Sequence, residues 1–382
     1  MNQYQISRME ERTTGKDILF IMESMCGGGA EKVLTTLLHN FDTSKYNISL
    51  LLLNASGPNI CLIPDYVEVI SLNSKNSFLV RAGLLYARYF RRALWKHQTS
   101  RALGGRRFDT IISFMEGPAT LLHSFLLDHA DRNITWIHTN LITNHWTKTL
   151  YSSPQEERDI YGRMDNIAFV SSGAKHAFQQ LFGITEHLHV IPNIIDRTDI
   201  IKKANDETVR HERFTICNIG RLIEPKRQDR LIEVAAELKR RGLDFTVWIL
   251  GIGHLEQELK QLSRALDVDD RVRFWGFKNN PYPYLKAADL FLLTSDTEGY
   301  PTVVCEALCL DKPVVSTKIT GSDELLADGA GILTSSDVTD IADQVERLIR
   351  NPDLMALYAR RSHEKSQQFS SKTIMSEIEE LI

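Results

Sequence analysis

The stretch Ala288-Asp-Leu-Phe-Leu-Leu293-Thr-Ser-Asp-Thr-Glu298-Gly-Tyr-Pro301-Thr-Val-Val-Cys-Glu306-Ala-Leu308 decides how the rest of the chain is read. Its first six residues are an apolar run of the length of a buried strand. From Val303 to Leu310 the pattern turns helical, and Pro301 sits near the helix start, where its missing N–H and fixed φ suit the first turn. The order is strand, loop with a carboxylate, helix N-terminus, and a second carboxylate one turn in. A helix N-terminus offers free N–H groups and the positive end of the helix dipole, so it suits a phosphate. Glu306 follows Thr302 by four residues and lies over the same face, where an acceptor-only carboxylate can hold sugar hydroxyls. The stretch therefore points to a nucleotide-sugar site.

At 382 residues the chain is long for one domain and sufficient for two. Hydrophobic residues at 43% and charged residues at 25% are ordinary globular values. A net charge of -4 argues against a protein built around nucleic acid. The five cysteines, at 26, 61, 217, 305 and 309, form no CxxC pair and suit a reducing cytosol. Met1 to Lys16 is polar and mixed in charge, unlike a signal peptide, and no apolar run approaches the roughly 20 residues of a membrane span. The expected location is cytoplasmic, with any membrane contact peripheral and from the inner face.

Outward from the opening stretch, strand-like runs recur. In the first half they are Asp17–Met22, Ile48–Leu53, Val67–Leu72, Thr110–Met115, Ile134–His138, Ile167–Ser171 and Val190–Asn193. In the second they are Phe214–Ile219, Phe245–Leu250, Val272–Gly276, Leu290–Thr294, Pro313–Thr317 and Gly331–Leu333. Helical patterns such as Ala30–Leu38, Ala174–Leu181, Asp229–Arg241 and Leu255–Leu266 separate several of them. Buried strands alternating with helices mean parallel sheets covered on both faces. The polar, charged segment Arg197–Arg213 lacks apolar periodicity and reads as a linker. The expectation is an α/β protein of two doubly wound, Rossmann-like domains facing a central cleft: 1–196, then 197–364, with a terminal helix at about 365–382 packing back on the first. Ligands in such sheets bind beyond the carboxyl ends of strands.

Four loops at such ends carry candidate residues, each with a plainer alternative. Cys26-Gly27-Gly28-Gly29-Ala30-Glu31 opens a helix and reads as an anion cradle or as a flexible turn. His138, after Trp136-Ile, reads as a hydrogen-bond donor to a sugar or as a structural histidine. Gly220-Arg221-Leu-Ile-Glu-Pro-Lys226-Arg227 places a planar fork and a point charge astride a proline, fit for a diphosphate or simply solvated. Gly251-Ile-Gly253 lacks the remainder of a dinucleotide fingerprint and reads as close backbone approach to a ligand or as a plain turn.

Arg81 to Arg107 holds Arg81, Arg88, Arg91, Arg92, Lys96, Arg101, Arg106 and Arg107 with interleaved aromatics and no acid. It reads as an interfacial segment for anionic lipid or as a solvated helix face. The sequon Asn133-Ile-Thr135 falls on an expected buried strand. Asp267-Val-Asp-Asp270 lies in a turn before a strand, at the wrong end for a metal-bound diphosphate, and no cluster has metal-ligand spacing.

Glu298-x7-Glu306 with Gly-Tyr-Pro between resembles the signature of the retaining glycosyltransferases of family 4, which have the GT-B fold. Gly27-Gly-Gly-Ala-Glu31, Val190-Ile-Pro-Asn-Ile-Ile-Asp196, Gly220-Arg221-Leu with Lys226, Gly251-x-Gly253 and Trp275-Gly-Phe277 fall in that family's order over residues 17 to 335. The resemblance implies metal-independent transfer of a hexose or N-acetylhexosamine from a nucleotide-diphosphate sugar, UDP-linked, without a cofactor. The implied acceptor is a saccharide, lipid-linked, in bacterial surface glycan assembly. The implied catalytic residues are His138, Arg221, Lys226 and Glu298. Gly28, Gly29, Gly251, Gly253, Phe277, Thr302, Val303 and Glu306 complete the implied donor site. The sequence departs from the family at Thr139, where Asp is usual, at Ile194, where Gly is usual, and at Arg227, where Gly is common. A glycoside hydrolase using the two glutamates, a non-catalytic binding subunit and a UDP-sugar epimerase are the alternatives.

Overall fold

The computed structural model describes residues 14–73 and 87–382, with side chains from residue 92 onward in the second span. Its contacts group into two units, one of residues up to Ile194 together with Ser371–Ile382, the other Ile195–Ser370.

The first unit carries a parallel sheet of β1 (Lys16–Met22), β2 (Tyr46–Asn54), β3 (Glu68–Asn73), β4 (Phe108–Ser113), β5 (Ala130–Ile137), β6 (Asn166–Phe169) and β7 (Leu188–Val190). The order is β3-β2-β1-β4-β5-β6-β7. Register pairs Ile18 with Ile48 on one side and with Thr110 on the other. Central strands such as β1 are buried along nearly their whole length, while edge strand β7 is half-buried, as expected when helices cover both faces. Asn133 and Thr135 lie buried in β5. The helix Ser371–Leu381 belongs here, with Met375, Ile378 and Leu381 buried. Lys16 Nζ donates to the Ile382 carbonyl at 3.0 Å and Arg132 to that of Leu381 at 2.9 Å.

The second unit carries β8 (Phe214–Ile219), β9 (Phe245–Leu250), β10 (Val272–Gly276), β11 (Leu290–Leu293), β12 (Val314–Thr317) and β13 (Ile332–Thr334). All pairings are parallel, in the order β10-β9-β8-β11-β12-β13. Strand alternation sorts the core into two layers. Ile216, Ile249 and Leu292 join Leu231 and Val345 from helices Gln228–Arg240 and Val338–Ile349. Their neighbours Cys217, Trp248 and Phe291 join Leu285 and Val304 from helices Tyr282–Ala287 and Thr302–Cys309 on the other face.

The expected linker is corrected in part. Arg197–Lys203 is a helix, capped by Asp196 Oδ1 accepting the Asp199 amide at 2.9 Å. Ile200 and Ala204 are buried in the second unit's core. The helix is too short, and its apolar residues too few, to show a period in an 11-residue window. The Asp196/Asp199 spacing was the available cap signal.

In each unit the strand order reverses once, between β1 and β4 and between β8 and β11. The loops leaving those strands therefore flank each unit's crevice.

Candidate functional site

In the second unit the loop after β8 is fastened to the loop after β11. Asp296 N donates to the Pro225 carbonyl at 2.9 Å, and Thr294 Oγ1 donates to the Arg227 carbonyl at 3.0 Å. Arg230, 5% exposed, donates to the Thr294 carbonyl and to Asp296 Oδ1, both at 2.7 Å. Arg227 adds a 3.0 Å ion pair to Asp296 Oδ2. Burial raises the Asp296 carboxyl, but hydrogen bonds from Arg227 and Arg230 outweigh it and hold the group below its ordinary value.

This fastening brings Lys226 and Glu298 together. Lys226 Nζ is hydrogen-bonded to Glu298 Oε1, which also accepts from Ser295 Oγ at 2.8 Å. Both side chains are mostly buried, at 22% and 13% exposure. Glu298 stands four residues before helix Thr302–Cys309, whose N-cap is Pro301. Thr302 and Glu306 are buried on that helix and Val303 is half-buried. Arg221 is exposed, and its guanidinium has no partner among the described residues, so the structure does not join it to Lys226.

The glycines after β9 have a packing reason. Gly251 has φ of 142°, and a Cβ there would stand 1.9 Å from the Gly220 carbonyl oxygen. At Gly253 a Cβ would stand 2.1 Å from that of Leu222. Backbone hydrogen bonds between Leu222 and Ile252 at 3.0 Å and between Leu255 and Leu222 at 3.2 Å close this crossing. The loops after β8 and β9 thus form one backbone surface. Phe277, just past β10, is 43% exposed.

In the first unit Gly28 is the N-cap of helix Gly29–His39, with no side chain capping it. His138 follows β5 directly and is half-buried. Its Nε2 is a buried atom without a hydrogen-bond partner among the described residues. Burial pushes the imidazole down to about 3, against a smaller opposing hydrogen bond at the Phe114 backbone, so the ring is neutral near pH 7.

Sequence reasoning passed over Glu116. It lies beyond β4, is 0% exposed, and accepts the His138 amide at 2.7 Å and the Trp146 indole N–H at 3.2 Å. The available signal was the one used for Glu298: a carboxylate just after an apolar strand, before a glycine.

Among the described residues, no three His, Cys, Asp or Glu side chains gather closely enough to hold a metal ion. Nor is any helix among them long and apolar enough to cross a membrane.

Known proteins match along most of this architecture. Residues 199–367 match the family model of glycosyl transferases group 1, and residues 27–199 match that of Glycosyltransferase Family 4. The chain belongs to the family 4 glycosyltransferases. An uncharacterized glycosyltransferase of Haemophilus influenzae is 23% identical over 364 residues, which is 94% of this chain and 97% of that one. The N-acetylgalactosamine-N,N'-diacetylbacillosaminyl-diphospho-undecaprenol 4-alpha-N-acetylgalactosaminyltransferase of Campylobacter jejuni is 30% identical over 219 residues. That match spans 56% of this chain and 59% of the relative. The crystal structure of Anabaena HepE in complex with UDP and glucose superposes with a TM-score of 0.76 at 24% identity, covering 96% of this chain and 98% of the other. The glycosyltransferase thus has the GT-B fold, with one Rossmann-like domain in each unit.

Proposed function

We propose that this glycosyltransferase moves a hexose or N-acetylhexosamine from a UDP-sugar to a lipid-linked saccharide, with the anomeric configuration retained. The observation that carries the reading is the Lys226–Glu298 pair, fixed at the second unit's strand-order reversal beside the start of helix Thr302–Cys309. Breaking a sugar–diphosphate bond gathers negative charge on the leaving group. Donors already aimed at that charge are usually the largest catalytic term. Lys226, the exposed Arg221 and the amides at Thr302 and Val303 supply them in this reading, without a metal ion. Glu298, its carboxylate steadied by Ser295 and Lys226, takes hydroxyls of the transferred sugar. Glu306, one turn into the helix, takes the ribose. The joined backbone at Gly251 and Gly253 and the exposed Phe277 take the base side of the donor. Gly28, Gly29 and neutral His138 are the first unit's candidate groups for this reaction.

A hydrolase would use one glutamate as a proton donor and the other as nucleophile or base. Glu298 is instead tied to a cation, which favours the binding role. The activity of the Campylobacter relative, on a diphospho-undecaprenol glycan, supports the lipid-linked acceptor. The UDP and glucose held by HepE support the donor.

The test is release of nucleoside diphosphate from a panel of UDP- and GDP-sugars in the presence of a chelator. We expect turnover of a UDP-sugar. The Arg221→Ala variant should lose about 100-fold or more in kcat/KM with an unchanged melting temperature. Near-normal kcat/KM in Arg221→Ala would sink the phosphate role. Loss of wild-type turnover on chelation would sink metal independence.

A further inference from the structure

In the first unit the reversal lies between β1 and β4, and the loop after β4 carries Glu116 and Gly117. Glu116 is fully buried, yet both its oxygens are occupied by donors from the chain beyond β5: Oε2 by the His138 amide and Oε1 by the Trp146 indole. Gly117 has φ of +87°, and a Cβ there would stand 2.4 Å from the six-membered ring of Trp146. The indole therefore rests on bare backbone at one edge and is hydrogen-bonded to a buried carboxylate at the other. Its neighbours are fixed as well. Thr147 Oγ1 donates to Glu157 Oε1 at 2.6 Å, and His145 Nε2 lies 2.9 Å from Glu157 Oε2, with Glu157 itself 1% exposed.

Trp146 itself is only half-buried. A buried carboxylate is an expensive way to hold a side chain that adds little to a core. What it provides is orientation. An indole whose N–H is already donated to the protein presents its π face to a ligand, and a face held in one rotamer loses little entropy when a ligand stacks on it. The partner that suits such a face is a pyranose ring, which carries C–H groups on one side and hydroxyls at its rim. The Thr139, Thr143 and Asn144 side chains of the same loop are polar, and Ile142 is 51% exposed.

We propose that Trp146 is a stacking platform for a sugar ring of the acceptor, with Glu116 and Gly117 as its mount. Glu116 is then a positioning residue that sets Trp146 and the His138 backbone from one carboxylate. The inference rests on the glycosyl-transfer reading above and adds the acceptor's contact on the first unit.

The probes are methyl pyranosides of glucose, galactose, N-acetylglucosamine and N-acetylgalactosamine. Each is followed by saturation-transfer NMR on the full chain with UDP present. Wild type should transfer saturation to ring C–H protons of at least one glycoside. Trp146→Ala should weaken that signal by about fivefold or more, and Trp146→Phe, which keeps a π face but loses the hydrogen bond to Glu116, should fall between alanine and wild type. Trp146→Leu keeps apolar bulk without a π face and should fail like the alanine, which separates stacking from folding. Glu116→Gln must turn an N–H toward one of the two donors, so it too should lower the signal, although the indole and its π face are still present. Equal transfer in wild type and Trp146→Leu, or no transfer to any glycoside in wild type, overturns the proposal. Calorimetric UDP binding, run on the same proteins, reads the donor site separately. Absent UDP binding in wild type refutes the donor reading, whereas intact UDP binding with an unaltered glycoside signal refutes this one.

Discussion

Arg227 shows how one residue can be both strained and useful. It occupies the left-handed region, φ 51° and ψ 47°, just ahead of helix Gln228–Arg240. A side chain there costs roughly 1–2 kcal/mol, which is why glycine suits the position. The guanidinium offsets the strain by binding Asp229 and Asp296. Arg227→Gly removes the strain, loses two partly exposed ion pairs and loosens the unfolded chain, so its net effect should stay within about 1 kcal/mol. Arg230 is different. It is buried, and truncation strands the Thr294 carbonyl and one face of Asp296. Arg230→Ala should cost about 2–4 kcal/mol in urea unfolding, with reduced UDP affinity. If Arg230→Ala proves no worse than Arg227→Gly, the fastening of the two loops is not what holds Lys226 against Glu298. Both arginines were visible in the sequence, but only the loop that folds across them distinguishes the buried from the half-buried one.

The basic stretch looks different where it forms the helix Ala87–Leu103. Arg81, and the side chains of Arg88 and Arg91, lie outside the described residues. Within helix Ala87–Leu103 and just beyond it, Arg92 is ion-paired with Glu156 and donates to the Leu150 carbonyl at 2.6 Å. Arg106 binds Glu68 at 2.9 Å and Arg107 binds Asp131 at 2.9 Å. Trp95, one of the aromatics interleaved with these charges, is 7% exposed and part of the core. Charge that appeared unbalanced along the sequence is balanced by acids distant in it. Lys96 and Arg101 remain exposed, and Leu94 is 38% exposed. The membrane contact proposed for this region therefore falls to them. Each basic residue near an anionic surface adds about 1 kcal/mol, so Lys96→Ala with Arg101→Ala should cut partitioning onto phosphatidylglycerol vesicles by roughly tenfold or more in flotation. Flotation equal to wild type excludes this helix as the membrane contact. Arg92→Ala, by contrast, should lower the melting temperature whether or not lipid is present.

At the scale of the molecule the two units should respond differently to acid. His123 is fully buried in the first unit, its ring between Ser113 Oγ at 3.1 Å and Asn133 Oδ1 at 3.0 Å. Burial pushes it down to about 4, and His138 of the same unit down to about 3. Both folded values lie below that of an unfolded histidine, so the unfolded chain binds the proton first as pH falls. The stabilising contribution is complete above about pH 6.5 and is lost as pH drops toward 4, at up to about 1.4 kcal/mol per pH unit for each group. Between pH 6.5 and 5, above most carboxylate titrations, hydrogen-exchange protection factors, corrected for the intrinsic slowing of exchange with falling pH, should therefore drop in β4 and β5 before β8 and β9. His123→Gln should flatten that dependence. Parallel loss of protection in both units would mean that His123 and His138 do not control acid stability.

The sequence by itself determined the strands and their alternation with helices. Those depend on hydrophobic period and length, and a strand buried on both faces cannot avoid being apolar along its run. It also pointed to Glu298, Glu306, Lys226 and the glycines as candidates, because they follow strand ends, where ligands bind in such a sheet. It did not carry Glu116, the helix Arg197–Lys203, the fate of the basic stretch, or the meeting of Lys226 with Glu298 across 72 residues. Only the tertiary structure decided these. Strand order selects which distant loops become neighbours, and a charge has no fixed role until its neighbour is known.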